Sequence, residues 1–447
     1  MREMLSARIS AKLSSLLWRS LTGYGRIKYR YLLPVYRLLH VIPDTPRTLG
    51  TTQPSKTLRG AQAVVSILTR HGLDYYRNQL RQVIERVQTS NGAVIFLPSV
   101  GWNLVNTQRP HHLAREFTRQ GYISIFDTTN QYDDVNGFKE VEPNLFLFRA
   151  DPLLLAEIPD PILWSFTYNY DRTVAYPEGT RIVYDCIDDL TVFPYDREFL
   201  EANHARGLKE ATVVSSVAGR LHEQALPARP DALYLPNGVD YPHFATAGPP
   251  ITNDAGLARL MRENKPIAGY YGALAEWFDY ELLESVARLR SDWSFLLIGP
   301  KYDLSLRTRG SSLLKLPNVR WIGHRKYELL GAYLHSFDVA MIPFVINDVT
   351  LATSPLKLYE YFAGGKPVVT TAMPECQLFS EVRIARDCHE FSRALDLAKN
   401  DGEDEDFVGR LQSLAKQNSW ANRVTLVLEQ LSRARAGGDI RSSRRSQ

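Results

Sequence analysis

The chain has 447 residues, 44% hydrophobic and 23% charged, which is too long for one ordinary domain and too apolar for disorder, so two globular domains are expected. Its net charge of +4 conceals an asymmetry: residues 1–90 hold 15 basic against 4 acidic residues, residues 432–447 hold 5 against 1, and the stretch between is acidic, with 33 against 44. An acidic core excludes the nucleic-acid-binding class, and three cysteines (Cys186, Cys376 and Cys388) fit neither a disulfide framework nor a zinc site.

Residues 5–22 place Leu5, Ile9, Leu13, Leu16, Leu17 and Leu21 at helical spacing, with Arg2, Arg8, Lys12 and Arg19 at other positions. Residues 24–42 add Tyr24, Tyr29, Tyr31 and Tyr36 among basic residues, with Pro34 interrupting any continuous helix. A basic, aromatic segment over residues 1–42 suits an anionic membrane surface, and packing on the acidic core or on a partner is the competing reading. No apolar run approaches the ~20 residues that span a bilayer. A cytoplasmic protein is expected, peripheral on the inner face of the plasma membrane if the segment binds lipid. Residues 43–55 read as a linker.

From Ala93 onward, short apolar runs alternate with longer helical patterns: 93–97, 122–126, 144–148, 162–166, 181–185, 212–216 and 232–236. A second series, after a Pro- and Gly-containing stretch near 248–256, covers 267–271, 293–299, 318–323, 338–344 and 367–371. Such alternation predicts two parallel sheets wrapped by helices, each a doubly wound, Rossmann-like α/β domain. The expected division is a basic, partly helical extension over 1–90, a first domain over 91–245, and a second over 246–432 whose last helix crosses back. An Arg- and Ser-rich tail over 433–447 reads as disordered. Ligands in open parallel sheets bind beyond the carboxyl ends of the strands, so two such domains make an interdomain cleft the expected site.

The most informative stretch is Ser354-Pro355-Leu356-Lys357-Leu358-Tyr359-Glu360, with Gly364-Gly365 closing the pattern. Ser354 is predicted as N-cap and Pro355 as the first helical residue. Lys357 then stands in the first turn, where the helix dipole disfavours a cation unless an anion is bound, so Ser354, Pro355, Leu356 and Lys357 predict a diphosphate site. Glu360, further along, could accept two hydrogen bonds from a ribose diol. A solvated lysine and a surface glutamate are the plainer readings. Gly272 ends the first strand of the second domain, where it lets a ligand approach the backbone closely or makes a tight turn. Glu276 and Asp279 read as favouring a helix N-terminus.

In the first domain, Gly101-Trp102-Asn103 and Gln108-Arg109-Pro110 form the loop after the first strand, expected to face the cleft. Arg109 has a fork suited to phosphate, or forms an ion pair. His111 and His112 are adjacent, cannot share a helix face, and read as structural. Asp185, Asp188 and Asp189 cluster at a strand end, where mutual repulsion raises a pKa as a general base requires, or where they cap a helix. No Gly-x-Gly-x-x-Gly, P-loop or His-Glu-x-x-His motif occurs.

At these residues the chain resembles the GT-B glycosyltransferases, in particular the retaining family 4 type, whose signature is two glutamates separated by seven residues. Glu360 matches the second glutamate, Gly365-Lys366-Pro367-Val368 the following turn, and Leu235-Pro236-Asn237-Gly238-Val239-Asp240 with Phe244 the passage into the second domain. With Gln108-Arg109-Pro110-His111-His112-Leu113-Ala114 and Tyr184-Asp185-Cys186-Ile187-Asp188-Asp189-Leu190, it is similar to a branch found in polysaccharide and teichuronic-acid biosynthesis. The chain departs from the pattern at Ala352, where the first glutamate would stand and which Asp348 or a backbone group would have to replace. The strand-end histidine is absent, as is a cation between residues 272 and 279.

The resemblance implies transfer of a sugar from a nucleotide-diphosphate donor (UDP or GDP) to a hydroxyl of a surface polysaccharide or lipid-linked glycan, with retention of configuration and without metal or other cofactor. Asp185, Asp188, Lys357 and Arg109 are the expected catalytic residues. Glu360, Ser354, Pro355, Leu356, Lys357, Gly272, His324, Asn237 and Gly101 are expected to bind the donor, His324 near the base. A nucleotide-sugar epimerase and a catalytically silent GT-B module that binds glycan or scaffolds a synthesis complex are the alternatives.

Overall fold

A computed structural model describes residues 74–104, 106–129, 133–246, 248, 251 and 254–445. The amphipathic stretch at 5–22, the aromatic–basic stretch at 24–42 and the linker lie outside the described residues. Two sheets build the molecule. The first contains β1 (Ala93–Phe96), β2 (Ile123–Asp127), β3 (Gly137–Glu142), β4 (Leu145–Arg149), β5 (Ile162–Ser165), β6 (Arg181–Cys186), β7 (Val213–Ser216) and β8 (Leu233–Tyr234). Its order is β3-β4-β2-β1-β5-β6-β7-β8, parallel throughout except where β3 runs antiparallel to β4. The second contains β9 (Ile267–Tyr271), β10 (Ser294–Ile298), β11 (Val319–Trp321), β12 (Val339–Ile342), β13 (Val368–Thr370) and β14 (Val382–Ile384), ordered β11-β10-β9-β12-β13-β14. That is the doubly wound order, whose strand sequence reverses beside β1 in one sheet and β9 in the other.

Strands buried on both faces read as continuous apolar runs, and β1, β5, β7, β9, β10 and β12 are buried along their whole length. The sequence reading missed β3 and β14. In β3, an edge strand, the middle residues Lys139 and Glu140 are exposed, and β14 is three residues long.

The helices that bear on the site are α1 (74–88), α2 (Arg109–Arg119), α3 (Arg197–Glu210), α4 (Gly219–Ala225), α5 (Tyr327–His335), α6 (Leu356–Ala363), α7 (Glu405–Gln417) and α8 (Trp420–Arg445). Two expectations need correction here. Tyr76, Leu80, Val83 and Val87 of α1 form one helical stripe that packs with Ala93, Ile95 and Ile123, so the first domain begins at α1 and not at residue 91. The segment after Arg433 continues as helix to Arg445 in place of irregular chain.

The helical pattern over 403–433 is two helices, divided at Asn418, where α7 ends. This break carries the chain back to the first domain. Trp420, Val424, Val427 and Leu431 of α8 share a core with Val94, Phe96, Leu113 and Trp164, on the opposite sheet face from α1. The Trp420 ring lies parallel to His112 on α2, with centroids 5.1 Å apart. The two crossings are tied together, because Val239 N–H donates to the Asn418 carbonyl (3.1 Å) and Trp420 N–H to the Val239 carbonyl (3.1 Å).

Candidate active site

A cleft of about 350 Å³ opens between the sheets, within the range of small-molecule sites. Its second-domain wall is made of strand ends: Gly272 follows β9, Gly299 follows β10, and His324 comes after β11. Gly272 has φ 143° and Gly299 φ 148°, and a Cβ at Gly299 would lie 1.8 Å from the Gly272 carbonyl oxygen. A Cβ at Gly272 would in turn meet Lys357 Cε at 2.1 Å. Glycine at 272 is therefore required by backbone and neighbour together, and it lets Lys357 lie flat over the strand end.

Lys357 is in the first turn of α6, half-buried, with its ammonium 5.5 Å from the centroids of Tyr270 and Phe344. Burial lowers its pKa, against the opposing pull of Glu360. It forms no ion pair within 4.0 Å among the described residues. Glu360, one turn on, is 2% exposed. Burial pushes its carboxyl up to about 8, with Tyr271 and Lys357 pulling the other way, and the Tyr271 hydroxyl lies close to it without a well-aligned hydrogen bond. The hydroxyl of Tyr327, on α5 in the same wall, has no hydrogen-bond partner. Unpaired cation, buried carboxylate and free hydroxyl converge on one space, as at sites built for a ligand.

The start of α6 differs from the prediction by one residue. Pro355, not Ser354, is the N-cap (φ −74°, ψ 109°) and supplies no side-chain cap. Ser354 instead accepts from Asn237 N–H at its hydroxyl (3.2 Å) and from Asn237 Nδ2 at its carbonyl (2.8 Å). Ser354 and Asn237 thus fix the helix to the interdomain passage while lining the cleft, and the N–H groups of Leu356 and Lys357 remain without intrahelical partners, that of Leu358 donating to the Pro355 carbonyl (3.0 Å).

Across the cleft the pairing reverses. Arg109 Nε and Nη2 donate to the two oxygens of Asp185 at 2.8 and 3.1 Å, and Asp185 also accepts from Trp164 Nε1 (3.1 Å) and Ser215 Oγ (2.8 Å). Arg109 Nη1 reaches the Pro236 carbonyl and Asn237 Oδ1, both at 3.3 Å. The pair is nearly inaccessible, at 6% and 0% exposure. The expected catalytic role of Asp185 is corrected, since its carboxylate is closed to an acceptor, whereas Arg109 lines the cleft with its guanidinium held by Asp185, the Pro236 carbonyl and Asn237. Gly101 is corrected too, being buried with its carbonyl 3.1 Å from His111 Nε2, while Asn106, Thr107 and Gln108 line the cleft in its place.

Asp188 is the member of the acidic cluster that faces the cleft. It is half-buried and accepts no hydrogen bond from a described residue, and burial, with Asp189 beside it, raises its pKa to about 7. Asp189 is committed to Thr191 N–H (2.9 Å). His111 and His112 are structural, the first lowered to about 4 by burial. Asp279 accepts from Leu282 N–H as a helix cap. Ala352 packs against Val217, Ala218 and Leu221 of the first domain, and Asp348 lies outside the cleft lining, 82% exposed and 3.0 Å from Arg220. No group of three or more potential metal ligands occurs among the described residues. Sequence reasoning missed Gly299, Tyr271 and Tyr327. Gly299 carried the same strand-end signal as Gly272, whereas the tyrosines gave no local signal.

Residues 265–396 match the family model "Glycosyl transferases group 1". A Bacillus subtilis (strain 168) protein assigned to teichuronic acid biosynthesis, glycosyltransferase TuaH, is 24% identical, over 58% of this chain and 66% of that relative's length, just short of two thirds. Among solved structures, sucrose-phosphate synthase from Thermosynechococcus elongatus aligns with TM-score 0.57 at 15% identity, over 76% of this chain and 99% of the other. Anabaena HepE, solved with UDP and glucose, gives 0.56 at 14%, over 76% and 99%. The trehalose 6-phosphate synthase of Burkholderia multivorans gives 0.56 at 11%, over 77% and 99%. At such identities the likeness to the solved structures is one of fold, and it covers both sheets. The match to the glycosyl transferases group 1 model falls on the second sheet, and the likeness to the solved structures gives the chain the GT-B fold.

Proposed function

We propose that the protein transfers a sugar from a nucleotide-diphosphate donor to a hydroxyl of a glycan, either a surface polysaccharide or a lipid-linked chain. The observation that carries this reading is Lys357, an unpaired, half-buried cation in the first turn of α6, pressed against Gly272 beside the buried Glu360. A diphosphate there meets the ammonium, the free N–H groups and the positive end of the helix together. Glu360 receives the ribose diol, and His324, at the end of β11, lies on the side of the base. UDP is found in the solved HepE structure, and a UDP or GDP sugar is the expected donor here.

In the transfer step the acceptor oxygen bonds to C1 of the sugar on the face from which the diphosphate departs, while the C1–O bond to the diphosphate breaks. The bonding pair leaves with the diphosphate, where Lys357 and the helix N-terminus stabilise it, and the hydroxyl proton passes to the Asp188 carboxylate. No metal enters this step. Retention of configuration follows from the family 4 resemblance, and product anomers resolved by NMR decide it.

Calorimetry of wild type and Glu360→Ala against UDP, GDP and their sugar conjugates, with magnesium or with EDTA, tests the reading. Binding of one diphosphate in EDTA, lost in the variant, is expected; silence across the panel overturns it in favour of a non-catalytic module. Donor turnover without acceptor would indicate the epimerase. The basic segment 1–42 is proposed to hold the enzyme on anionic lipid at the inner face of the membrane. Flotation with phosphatidylserine vesicles is expected for the full chain and not for a 1–55 deletion. Among the described residues, no helix is long and apolar enough to cross a membrane.

A further inference from the structure

The first domain holds a second cavity, of about 330 Å³, which shares Asp188 with the cleft. Thr167 and Cys186 lie at its strand-end side, α3 contributes Arg197 and His204, and α4 contributes Gln224. The orientation of His204 is fixed: its Nδ1 is 2.7 Å from the Tyr184 hydroxyl, itself 2.7 Å from Thr167 Oγ1. Among the described residues Nε2 has no hydrogen-bond partner, and burial lowers the pKa of the ring, keeping it neutral.

Charge separates the ligands this cavity can take. Asp188 and Asp189 line it, and its one cationic residue, Arg197, is already 2.6 Å from Glu201. Arg220, near Asp189, is paired with Asp348. An anionic ligand would therefore meet two carboxylates and, among the lining residues, a single arginine that is already shared with Glu201 in an exposed pair. The polar lining groups without a filled hydrogen-bonding capacity, Asp188, His204 Nε2 and Gln224, suit the hydroxyls of a sugar ring.

We propose that this cavity seats the terminal residue of the acceptor and selects a neutral, hydroxyl-rich sugar over a carboxylated or phosphorylated one, through Asp188, His204 and Gln224. The role as acceptor site rests on the transferase reading; the preference for a neutral ring rests on the cavity's own charges. One hydroxyl donates to Asp188 on the shared wall, which presents that oxygen to the cleft, and the imidazole and the Gln224 amide hold others.

Saturation-transfer NMR on the full chain tests this, with methyl glucoside and methyl N-acetylglucosaminide as neutral probes and methyl glucuronide and glucose 6-phosphate as charged ones. Calorimetry with UDP and GDP runs on the same samples. At equal concentration the neutral probes are expected to give at least fivefold the signal of the charged ones. That signal falls in His204→Phe and in Gln224→Ala, while nucleotide binding stays unchanged. Gln224 is exposed, so its replacement leaves the fold intact. Charged probes binding as well as neutral ones, neutral signal surviving both substitutions, or no neutral signal overturns the proposal. Failure of UDP and GDP to bind wild type overturns the transferase reading instead, and the sugar panel still decides the charge preference.

Discussion

The two walls of the cleft each carry a basic–acidic pair, and the pairs are opposites. In the first domain Arg109 and Asp185 join helix to strand through two hydrogen bonds, and Trp164 and Ser215 satisfy the rest of the carboxylate. In the second domain Lys357 and Glu360 are one turn apart on α6, each pushed toward its neutral form by burial, and no hydrogen bond joins them. A charge whose bonding capacity is filled inside the protein holds the fold together. A charge left short of partners at a strand-end cleft costs stability and is retained for a ligand.

The comparison breaks most visibly at Asp185. Asp185→Ala leaves the Arg109 guanidinium buried without its partner, which costs about 3–5 kcal/mol. The damage extends further, since Arg109 also holds the Pro236 carbonyl and Asn237, so the passage between the domains loosens. Urea denaturation is expected to show a large fall in midpoint, and a midpoint near that of wild type would return Asp185 to the functional group. The double variant Arg109→Met with Asp185→Leu is expected to recover part of the loss, because no buried charge is then stranded.

Lys357→Met should do the reverse. The methionine stem keeps the packing against Tyr270 and Phe344 while the charge is lost. Thermal stability is expected to hold or rise slightly, and the transfer rate to fall about 10²-fold, the cost of removing one donor from a developing oxyanion. A variant that unfolds, or one that turns over normally, would erase the distinction between the walls.

How much of this was legible in the sequence follows from distance along the chain. Lys357 and Glu360 are three residues apart on a helix bounded by Pro355 and Gly364, so charge, cap and period were visible together. Arg109 and Asp185 are 76 residues apart, and nothing local shows that they meet, so both read as cleft chemistry. The same limit explains α1. A boundary drawn on the charge of residues 1–90 cut away the stripe Tyr76, Leu80, Val83 and Val87, because what that stripe packs against is the strand Ala93–Phe96 and its neighbours. The parallel strands were legible because burial on both faces leaves a continuous apolar run, whereas β3, polar at its exposed edge, was not.

The pair on α6 also predicts a pH dependence. The Glu360 carboxyl is raised from 4.5 to about 8, so the fold favours its protonated form. The stability this group contributes is present below its ordinary range and is lost as pH rises through about 8. Glu360→Gln is therefore expected to melt above wild type by a margin that grows between those values. Ribose binding by a carboxylate asks for the ionised form, so the affinity of wild type for the nucleotide should rise by up to roughly tenfold per pH unit below about 8. In Glu360→Gln it should be weak and flat. Calorimetry across that range separates this from a merely structural glutamate, which would move the melting curve and leave nucleotide affinity alone.

The smallest effect is expected at Asp348, and it bears on the gap at Ala352. If an acidic group replaced the first glutamate of the family 4 pattern that the chain resembles, Asp348, four residues away in sequence, would be the nearest substitute. Its carboxylate instead points across the domain boundary to Arg220, 82% exposed, and is absent from the cleft lining. An exposed pair of this kind is worth about 0.2–1 kcal/mol. Asp348→Ala should thus shift the denaturation midpoint barely, and more in low salt than in high, where screening already removes most of the attraction. Transfer rate and nucleotide affinity should equal those of wild type. A loss of rate near that of Lys357→Met would move Asp348 into the donor site and put an acidic group opposite the sugar. Unchanged rates leave Ala352 with the role its surroundings give it, an apolar contact with Val217, Ala218 and Leu221 at the domain boundary.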